Sequence, residues 1–459
     1  MAEGTLPGLP CRFGRHLGFA KVLPANKGRA MSVIAFVTIG AIGHVYNCLA
    51  IAQELVQRGH GVHFLTPVER APAIAKTGAT HVPIPTVLSE SGASRHMDGF
   101  DLPDVPATLA RETVATIRDI RRHLERIEPD VVVYDSYTFG GALAAESLGV
   151  PAVRKNGTFA LRPWFNYFQE TERGGLPGRL TTPESLAEFD RLMKPVFHDC
   201  SLPPRSFHEL ITEEPALEIV FLSRSFHPRA EDFGTNVLFV GPVSSPASRI
   251  EDWEARLPRP EPDRDLVFVS MGSVFSHQPA LYYNCLEAFD GWNVRVVLSV
   301  GRTFNSDFWT DVPENISVHP WVPQLDVLRN SRAFVTHAGA GSVMEAVSFG
   351  VPMLAVPQFP EQLLLAQRVR DLGCGLLLPR EEVCVSSLRT LVERILTDPS
   401  YRNRAASLGR EATADGGVGR ACDAIQDFAD RSSRGGSQCS LHGQGAPAPS
   451  PSRGGNSHG

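Results

Sequence analysis

The sequence predicts an α/β fold of two doubly wound parallel sheets that face each other across a cleft. The chain has 459 residues, enough for two or three domains of about 100–200 residues each. Short apolar runs alternate with amphipathic segments, an order typical of strands and helices around a parallel sheet. The pattern starts again after a connector at 244–265 that is rich in proline and charged residues. We therefore predict domains at 31–243 and 266–415, joined by that linker.

The first half opens with a β-branched run at 32–39 that ends at Gly40. Apolar residues at helical spacing follow at 44–58, and Gly59 ends that segment. Further apolar runs predict strands at 61–65, 131–134, 152–153 and 218–222. Because strands that alternate with helices pair in parallel, helices should cover both faces of this sheet.

The second half repeats the plan, beginning with a strand at 266–270 that leads to Gly272. Further strands are predicted at 294–299, 316–319, 333–336 and 353–356. In open parallel sheets, ligands bind beyond the carboxyl ends of the strands. The functional residues are therefore expected in the loops that follow these strands.

Composition limits the possible functions. Apolar residues make up 42% of the chain and charged residues 20%, as in globular proteins that bury a large core. The 44 basic residues are outnumbered by 50 acidic ones, and a net charge of −6 argues against nucleic-acid binding, which needs a basic surface. No apolar run approaches the length of about 18 residues that spans a membrane, so no membrane insertion is expected. The eight dispersed cysteines favour free thiols in a reducing, cytoplasmic compartment over a zinc site or disulfides.

The two ends of the chain differ from the body. Residues 1–30 lack the apolar stretch of a secretory signal and directly precede Met31, so we interpret them as a dispensable irregular extension, with a transit peptide as the alternative. Residues 416–430 are expected to form a helix that packs back on the first half. Residues 431–459 are rich in Gly, Ser and Pro and predict a disordered tail, because they bury too little apolar surface to offset the entropy of ordering.

The strongest functional signal follows the predicted strand at 333–336. His337 stands at its carboxyl end, and Gly339–Ser342 leads into a short predicted helix. A glycine-rich turn before a helix leaves backbone N–H groups unpaired, and with the helix dipole they form an anion site suited to phosphate. Ser342 and His337 can add donors, and Glu345, one turn later, can accept from sugar hydroxyls. A G-x-G turn by itself also occurs in plain tight turns.

The wider pattern resembles the donor signature of family 1 glycosyltransferases, which are GT-B enzymes with two Rossmann-like domains that use nucleotide-activated sugars. The matching motifs are Trp321–Gln324 (WVPQ), His337–Ser342 (HAGAGS), Glu345 and Pro357–Gln362 (PQFPEQ). The likeness extends from residue 31 to residue 430 and is nearest to the bacterial macrolide glycosyltransferases.

The resemblance implies roles on the donor side. Trp321 would stack on a uracil or thymine ring, with Gln324 beside the base and ribose; a core aromatic and a turn residue remain the alternatives. The other donor candidates are His337, Gly339, Gly341 and Ser342 around the diphosphate, Glu345 at the ribose, Glu361 and Gln362 at the sugar, and Ser273 after the first strand of the second half. Plant members carry Asn in place of Gly341, and Asp is common in place of Glu361, which leaves the preferred sugar open.

The first half supplies the catalytic candidates, because Gly40–His44 (GAIGH) follows the first strand and opens a helix. The resemblance makes His44 the base that takes the proton from an acceptor hydroxyl, a task that suits imidazole at neutral pH. Asp135, at the end of a predicted strand, matches the carboxylate that would fix the imidazole tautomer, although a helix cap is the alternative. Many relatives have G-H-x-N-P here, whereas this chain has Tyr46 and Asn47, which should reshape the acceptor pocket.

The acceptor pocket itself is predicted from aromatic density. Residues 159–168 (FALRPWFNYF) contain Phe159, Trp164 and Phe165, which together with Tyr46 are the acceptor-binding candidates. Burial of these aromatics in a core helix is the alternative.

No metal site is expected, and no cofactor other than the nucleotide-sugar co-substrate. Asp263 and Asp265 have the D-x-D form of a divalent-cation pair, but they lie in the linker and are interpreted as a solvated turn. A helix N-terminus and His337 can neutralise a leaving diphosphate instead.

Together these features predict an inverting, metal-independent transfer of a hexose from a UDP- or dTDP-sugar to a hydroxyl of a small hydrophobic natural product, such as a macrolide or another polyketide. The partners would be this small-molecule acceptor and the sugar donor, bound by a monomer or weak homodimer. A GT-B nucleotide-sugar epimerase or hydrolase and a non-catalytic nucleotide-sugar-binding protein remain alternatives.

Overall fold

The computed structural model describes residues 31–88, 102, 104–243, 263–273, 278–301, 309 and 311–436. The chain separates into two units, Met1–Met31 and Ser32–Gly459, and every helix and strand named below lies in the second unit. The predicted extension at 1–30 and most of the predicted linker, 244–262, lie outside the described residues.

In the first half, the described residues form one parallel sheet. Its strands are β1 (Val33–Val37), β2 (Gly61–Thr66), β3 (Thr80–Pro83), β4 (Val131–Asp135), β5 (Ala152–Asn156), β6 (Glu218–Val220) and β7 (Val237–Phe239). Their order is β3-β2-β1-β4-β5-β6-β7, so the chain first builds outward from β1 on one side and then on the other. The connecting helices are α1 (Ile42–Gln57), α2 (Ala71–Ala75), α3 (Val105–Ile127), α4 (Phe139–Leu148), α5 (Tyr167–Glu172), α6 (Pro183–Asp199) and α7 (Phe207–Thr212).

The second half contains a parallel sheet of the same kind. Its described strands are β8 (Asp265–Ser270), β9 (Val294–Ser299), β10 (Ile316–His319), β11 (Ala333–Thr336), β12 (Met353–Ala355) and β13 (Gly375–Leu377). They are ordered β10-β9-β8-β11-β12-β13. The helices are α8 (Pro279–Phe289), α9 (Gln324–Asn330), α10 (Ala340–Ser348), α11 (Pro360–Asp371), α12 (Val385–Thr397) and α13 (Pro399–Ala414).

The predicted fold class of two doubly wound parallel sheets is therefore confirmed. Strands β3, β7 and β13 were not predicted from the sequence, and each lies at a sheet edge. The apolar residues of β7 (VLF) and β13 (GLL) were a visible signal, whereas β3 has one buried apolar residue, Val82, and gave little.

The two sheets share one packing feature at their centres. Phe36 on β1 is the register partner of Phe64 on β2, and their rings stack with centroids 5.3 Å apart. Phe268 on β8 and Phe334 on β11 are paired in the same way, with centroids 4.7 Å apart. All four rings are buried, and each stacked pair contributes about 0.5–1.5 kcal/mol beyond the area it buries. The aromatic pairs fix the central strands that lead into the cleft.

The last described helix, α14 (Gly417–Gly436), returns from the second half to the first. Arg58 on α1 donates to Asp423 and to Gln426, each at 2.6 Å, and the Cys422 thiol donates to the Ile51 carbonyl at 3.6 Å. This helix ties the end of the second half to the helix that carries His44.

The predicted disordered tail is wrong for residues 431–436, which continue α14. Buried Ala429 extends the apolar face of the helix to its last turns, and the Ser432 hydroxyl donates to the Phe428 carbonyl. Packing of that face supports the helix beyond the point where composition becomes polar. Residues 437–459 lie outside the described residues. No helix in the described part of the chain is long and apolar enough to cross a membrane.

Candidate active site

The carboxyl ends of both sheets meet at a cleft of about 250 Å³. The first half contributes the start of α1 and the turn after β5, and the second half contributes the loops after β8, β9, β10 and β11 and the start of α11. Of the predicted site residues, those that line the cleft are His44, Tyr46, Ser273, Trp321, Gln324, His337, Gly339, Gly341, Ser342, Glu361 and Gln362.

His44 stands in the first turn of α1, directly after the loop that leaves β1. Its Nδ1 lies 2.7 Å from Oδ2 of Asp135, the last residue of β4. The two residues are 91 positions apart in sequence, but β1 and β4 are adjacent in the sheet, so the strand end meets the helix start. Asp135 is fully buried, whereas 23% of the His44 side chain stays exposed. The second ring nitrogen, Nε2, is therefore left for a ligand in the cleft.

Lys155 on β5 completes this cluster. Its ammonium forms an ion pair with the same Asp135 oxygen and donates to the His44 carbonyl at 3.0 Å. The Tyr137 backbone N–H donates to the other oxygen of Asp135 at 2.9 Å. Sequence reasoning missed Lys155, because the predicted strand stopped at 153 and the sequence AVRKN does not show that this lysine is buried.

Charge pairing keeps both buried groups ionised. Burial opposes the ionisation of Asp135, but the charges and hydrogen bonds of His44 and Lys155 hold its pKa well below the usual range. Burial likewise disfavours the Lys155 cation, and Asp135 outweighs that effect and raises the lysine pKa. The carboxylate that orients His44 is thus charged and fixed in place.

The opposite wall is a glycine-rich turn. Helix α10 starts at Ala340 after Gly339, with no side chain capping its N-terminus, so its first N–H groups are available to the cleft. Ala338, just before it, is buried in the left-handed conformation with φ of 61°, a strained state for a residue with a Cβ. This tight turn places the helix end against the cleft.

Two glycines enclose the His337 ring. A Cβ on Gly272, which has φ of 77°, would lie only 2.6 Å from the ring, and a Cβ on Gly339 would overlap Nε2. Burial lowers the pKa of His337 to about 4, although a hydrogen bond with the Ser270 backbone acts in the opposite direction. At neutral pH the imidazole is therefore uncharged and carries one N–H, which either the Ser270 carbonyl or a ligand can accept.

Gln324 lines the cleft together with Trp321, whereas Glu345 does not. The Gln324 amide nitrogen donates to a Glu345 oxygen at 2.7 Å and to the Ser342 hydroxyl at 3.3 Å. Glu345 is buried and does not line the cleft, so the structure does not place it as a direct ribose ligand. Its carboxylate instead orients Gln324.

The start of α11 supplies two further predicted residues. Gln362 is buried, and its side-chain oxygen accepts from the Gln358 backbone N–H at 2.9 Å. Glu361 lines the cleft, and burial raises its pKa to about 7. Near neutral pH its carboxyl group can both donate and accept hydrogen bonds.

Three of the four acceptor candidates lie elsewhere. Phe159 is 1% exposed and packs edge-on against Phe165, with centroids 5.8 Å apart. Trp164 is 42% exposed, and the Arg229 guanidinium lies over its ring. Neither these residues nor Phe165 line the cleft, so their predicted acceptor role is not matched by their position.

These aromatic residues lie away from the cleft because they belong to a separate aromatic cluster in the first half. His227 packs against Phe159, Phe165, Phe233 and Phe239 in that cluster. The segment is not a long core helix either, because α5 starts only at Tyr167, where the Asn166 side chain caps it.

Sequence reasoning missed the cleft residues Gly157, Thr158, Ser299 and Gly301, and it named Asn47 only as a departure from the family motif, without a binding role. Four of them end or directly follow β5 or β9, so the rule that ligands bind beyond strand ends would have found them.

The D-x-D pair has a structural role at its second residue. Asp265 begins β8 and pairs with Arg332 at 3.2 Å. In the described ranges, no group of three or more His, Cys, Asp or Glu side chains is placed to hold a metal ion.

Comparison with known proteins identifies the family. Residues 34–153 match the glycosyltransferase family 28 N-terminal domain, and residues 285–418 match the erythromycin biosynthesis protein CIII-like C-terminal domain. The NDP-glycosyltransferase YjiC of Bacillus subtilis (strain 168) is 32% identical over 400 residues, which cover 87% of this chain and 98% of that protein. The chain belongs to the family 1 glycosyltransferases.

Other relatives of this glycosyltransferase place it in the macrolide subgroup. The oleandomycin glycosyltransferase of Streptomyces antibioticus is 31% identical over 408 residues, covering 86% of this chain and 90% of that one. The crystal structure of CalG4, the calicheamicin glycosyltransferase, matches with a TM-score of 0.72 and 29% identity over 87% of this chain and 99% of that one. The predicted family and the GT-B fold are confirmed.

Proposed function

We propose that this glycosyltransferase moves a hexose from a UDP- or dTDP-sugar to a hydroxyl of a small hydrophobic natural product, with inversion at the anomeric carbon. The observation that carries the proposal is the His44–Asp135 pair, which faces the uncapped N-terminus of α10 across one cleft. The cleft thus has a proton acceptor on one wall and an anion site on the other.

In the proposed reaction, one wall accepts the proton and the other stabilises the leaving group. His44 Nε2 takes the acceptor hydroxyl proton as the oxygen forms a bond to the anomeric carbon. The bond from that carbon to the diphosphate oxygen breaks, and the N-terminus of α10 and the neutral His337 stabilise the leaving anion. Asp135 stabilises the imidazolium that results. Attack opposite the leaving group converts an α-linked donor into a β-glycoside.

Donor contacts are assigned to the cleft-lining residues. Trp321 stacks on the base, Gln324 bonds the base and ribose, and Glu361 and Gln362 bond the sugar hydroxyls. Because the neutralising groups belong to the protein, we expect transfer without an added divalent ion. Full activity after dialysis against EDTA is the expected result.

The acceptor class rests on the relatives, whose names refer to oleandomycin and calicheamicin. Tyr46, the acceptor candidate that lines the cleft, supports an acceptor beside His44. A hydrophobic molecule with an accessible hydroxyl suits this position.

The decisive experiment is a matrix of donors and acceptors with a mass-spectrometric readout. It pairs UDP-glucose and dTDP-glucose with hydroxylated macrolides and polyphenols, and NMR gives the anomeric configuration of the product. We expect a β-glycoside, and loss of about 10²–10⁴-fold in kcat/KM for His44→Ala. His198→Ala, which removes a fully solvated imidazole on α6, serves as the control. Near-normal transfer by His44→Ala, an α-glycoside, or sugar release that needs no acceptor would each refute the proposal.

A further inference from the structure

Asn47 is a largely buried polar side chain that lines the cleft. It lies on α1 three residues after His44, and only 8% of it is exposed. Within the described part of the chain, no hydrogen bond engages its side-chain amide. Neither amide atom is fully buried, because both the oxygen and the nitrogen keep contact with the open cleft. A polar group in this position can bond to water or to a bound ligand. A ligand of the cleft is the natural partner for this group.

The position of the amide indicates which part of a ligand it meets. Its oxygen lies 3.7 Å from the point where a Cβ on Gly341 would stand, in the first turn of α10. Its nitrogen lies 3.6 Å from the corresponding point on Gly157. The amide therefore extends from the first half across to the anion site of the second half.

Gly341 leaves room for such a contribution. Apart from its chain neighbours and its own helix backbone, the described residues place only the Asn47 oxygen within 4 Å of its Cβ position. An amide attached at position 47 thus occupies the space that a side chain at position 341 would enter. The terminal amide torsion is broad and two-fold, so either the oxygen or the NH2 group can face this space.

We propose that Asn47 donates a hydrogen bond from its NH2 group to the diphosphate of the sugar donor. The inference rests on the proposed donor site and deepens it, because it adds a ligand from the half that carries the catalytic base. Donor binding then connects the two halves directly, beside His44.

Nucleotide affinity tests this inference without relying on turnover. Calorimetric titration with UDP and dTDP compares the wild type with Asn47→Ala and Asn47→Asp. We expect about three- to tenfold weaker binding for Asn47→Ala, which loses one hydrogen bond, and about 30-fold or more for Asn47→Asp, which places a carboxylate against the phosphates. Asn330→Asp, an exposed change of the same charge on α9, should stay within about twofold.

A rescue variant gives a sharper readout. In the Asn47→Ala background, Gly341→Asn restores an amide from the opposite wall, and we expect affinity to recover to within about threefold of the wild type. Failure to recover would overturn the claim that the two positions reach the same group. Thermal melting of Asn47→Ala near that of the wild type confirms that the fold is intact.

Two results separate this inference from the proposed function. If the wild type binds UDP or dTDP and Asn47→Asp binds it equally well, the Asn47 contact is refuted while the donor site stands. If the wild type binds neither nucleotide, the donor assignment itself is refuted, and this inference falls with it.

Discussion

One wall of the cleft contains a buried ion pair, whereas the other presents uncharged hydrogen-bond donors. On the wall proposed to bind the acceptor (the acceptor wall), Asp135 and Lys155 are fully buried ions that neutralise each other beside His44. On the wall proposed to bind the donor (the donor wall), a glycine turn, a helix N-terminus and a neutral His337 offer hydrogen bonds without a fixed cation. Among the described residues that line the cleft, none is Lys or Arg.

The difference matches the two tasks. A base must receive a proton in a fixed orientation, which requires a charge partner that cannot move. A leaving diphosphate needs many donors aimed at one place, and oriented N–H groups supply them without desolvating a lysine. Under the proposed function, this arrangement lets an anionic ligand bind to a protein with a net charge of −6.

The substitution with the largest expected effect changes the acceptor wall alone. Asp135→Asn should lower kcat/KM by about 10²–10⁴-fold, because His44 loses the carboxylate that fixes its tautomer and stabilises the imidazolium. UDP affinity, measured by calorimetry, should stay close to that of the wild type. Asp199→Asn, at the exposed end of α6, is the matched control. A parallel loss of UDP affinity would show that the two walls are not separable.

The next effect concerns the stability of the same wall. Lys155→Met should lower the free energy of unfolding by about 3 kcal/mol, because it leaves the buried Asp135 charge without its cation. Urea denaturation measures the change. Lys194→Met removes an exposed lysine on α6 and should change stability by less than about 0.5 kcal/mol. Equal stability of the two variants would refute the structural role of Lys155.

A substitution in the donor wall is expected to have a smaller effect. Gly272→Ala should weaken UDP binding roughly tenfold, the equivalent of about one good hydrogen bond, because the new methyl group displaces the His337 ring. Gly291→Ala is the control, since Gly291 also has positive φ but open space around its Cβ position. Both variants carry the same kind of backbone strain, and only Gly272→Ala also contacts His337. UDP affinity should therefore change in Gly272→Ala and stay near the wild-type value in Gly291→Ala.

The smallest effect is a pH dependence on the donor wall. Burial raises the pKa of Glu361 from 4.5 to about 7, so the folded chain holds this proton more tightly than the unfolded chain does. The resulting stability is fully present below pH 4.5 and is lost as the pH rises through about 7. The loss should be on the order of 1 kcal/mol, after allowance for solvent contact.

Glu361→Gln removes the titrating group, so between pH 5 and pH 8 its unfolding free energy should rise by about 1 kcal/mol relative to that of the wild type. The unfolding free energies of wild type and variant at pH 5 and pH 8 give the comparison. Glu393→Gln, on the exposed face of α12, should keep the wild-type slope. A difference in unfolding free energy between Glu361→Gln and the wild type that is the same at pH 5 and pH 8 would contradict the assignment.

Local patterns explain which parts of the molecule were predictable. The apolar runs of β1, β8 and β11 and the glycine turn before α10 are signals within a few residues, so they survive folding unchanged. The density of aromatics at 159–165 was also a local signal, but it did not specify which surface the rings would meet. His227 and Phe233, more than 60 positions later, decided that.

The sequence by itself determined the two α/β halves, the glycine turn before α10 and the family motifs, because each depends on hydrophobic period or on residues close along the chain. Only the tertiary structure decided that Lys155 shares the carboxylate of Asp135, that Glu345 lies beneath Gln324, and that Asn47 reaches Gly341. The physical reason is that these contacts join distant segments. The distances in these contacts depend on the order of the strands and on how closely the two halves approach each other. No pattern along the chain predicts the strand order or that approach.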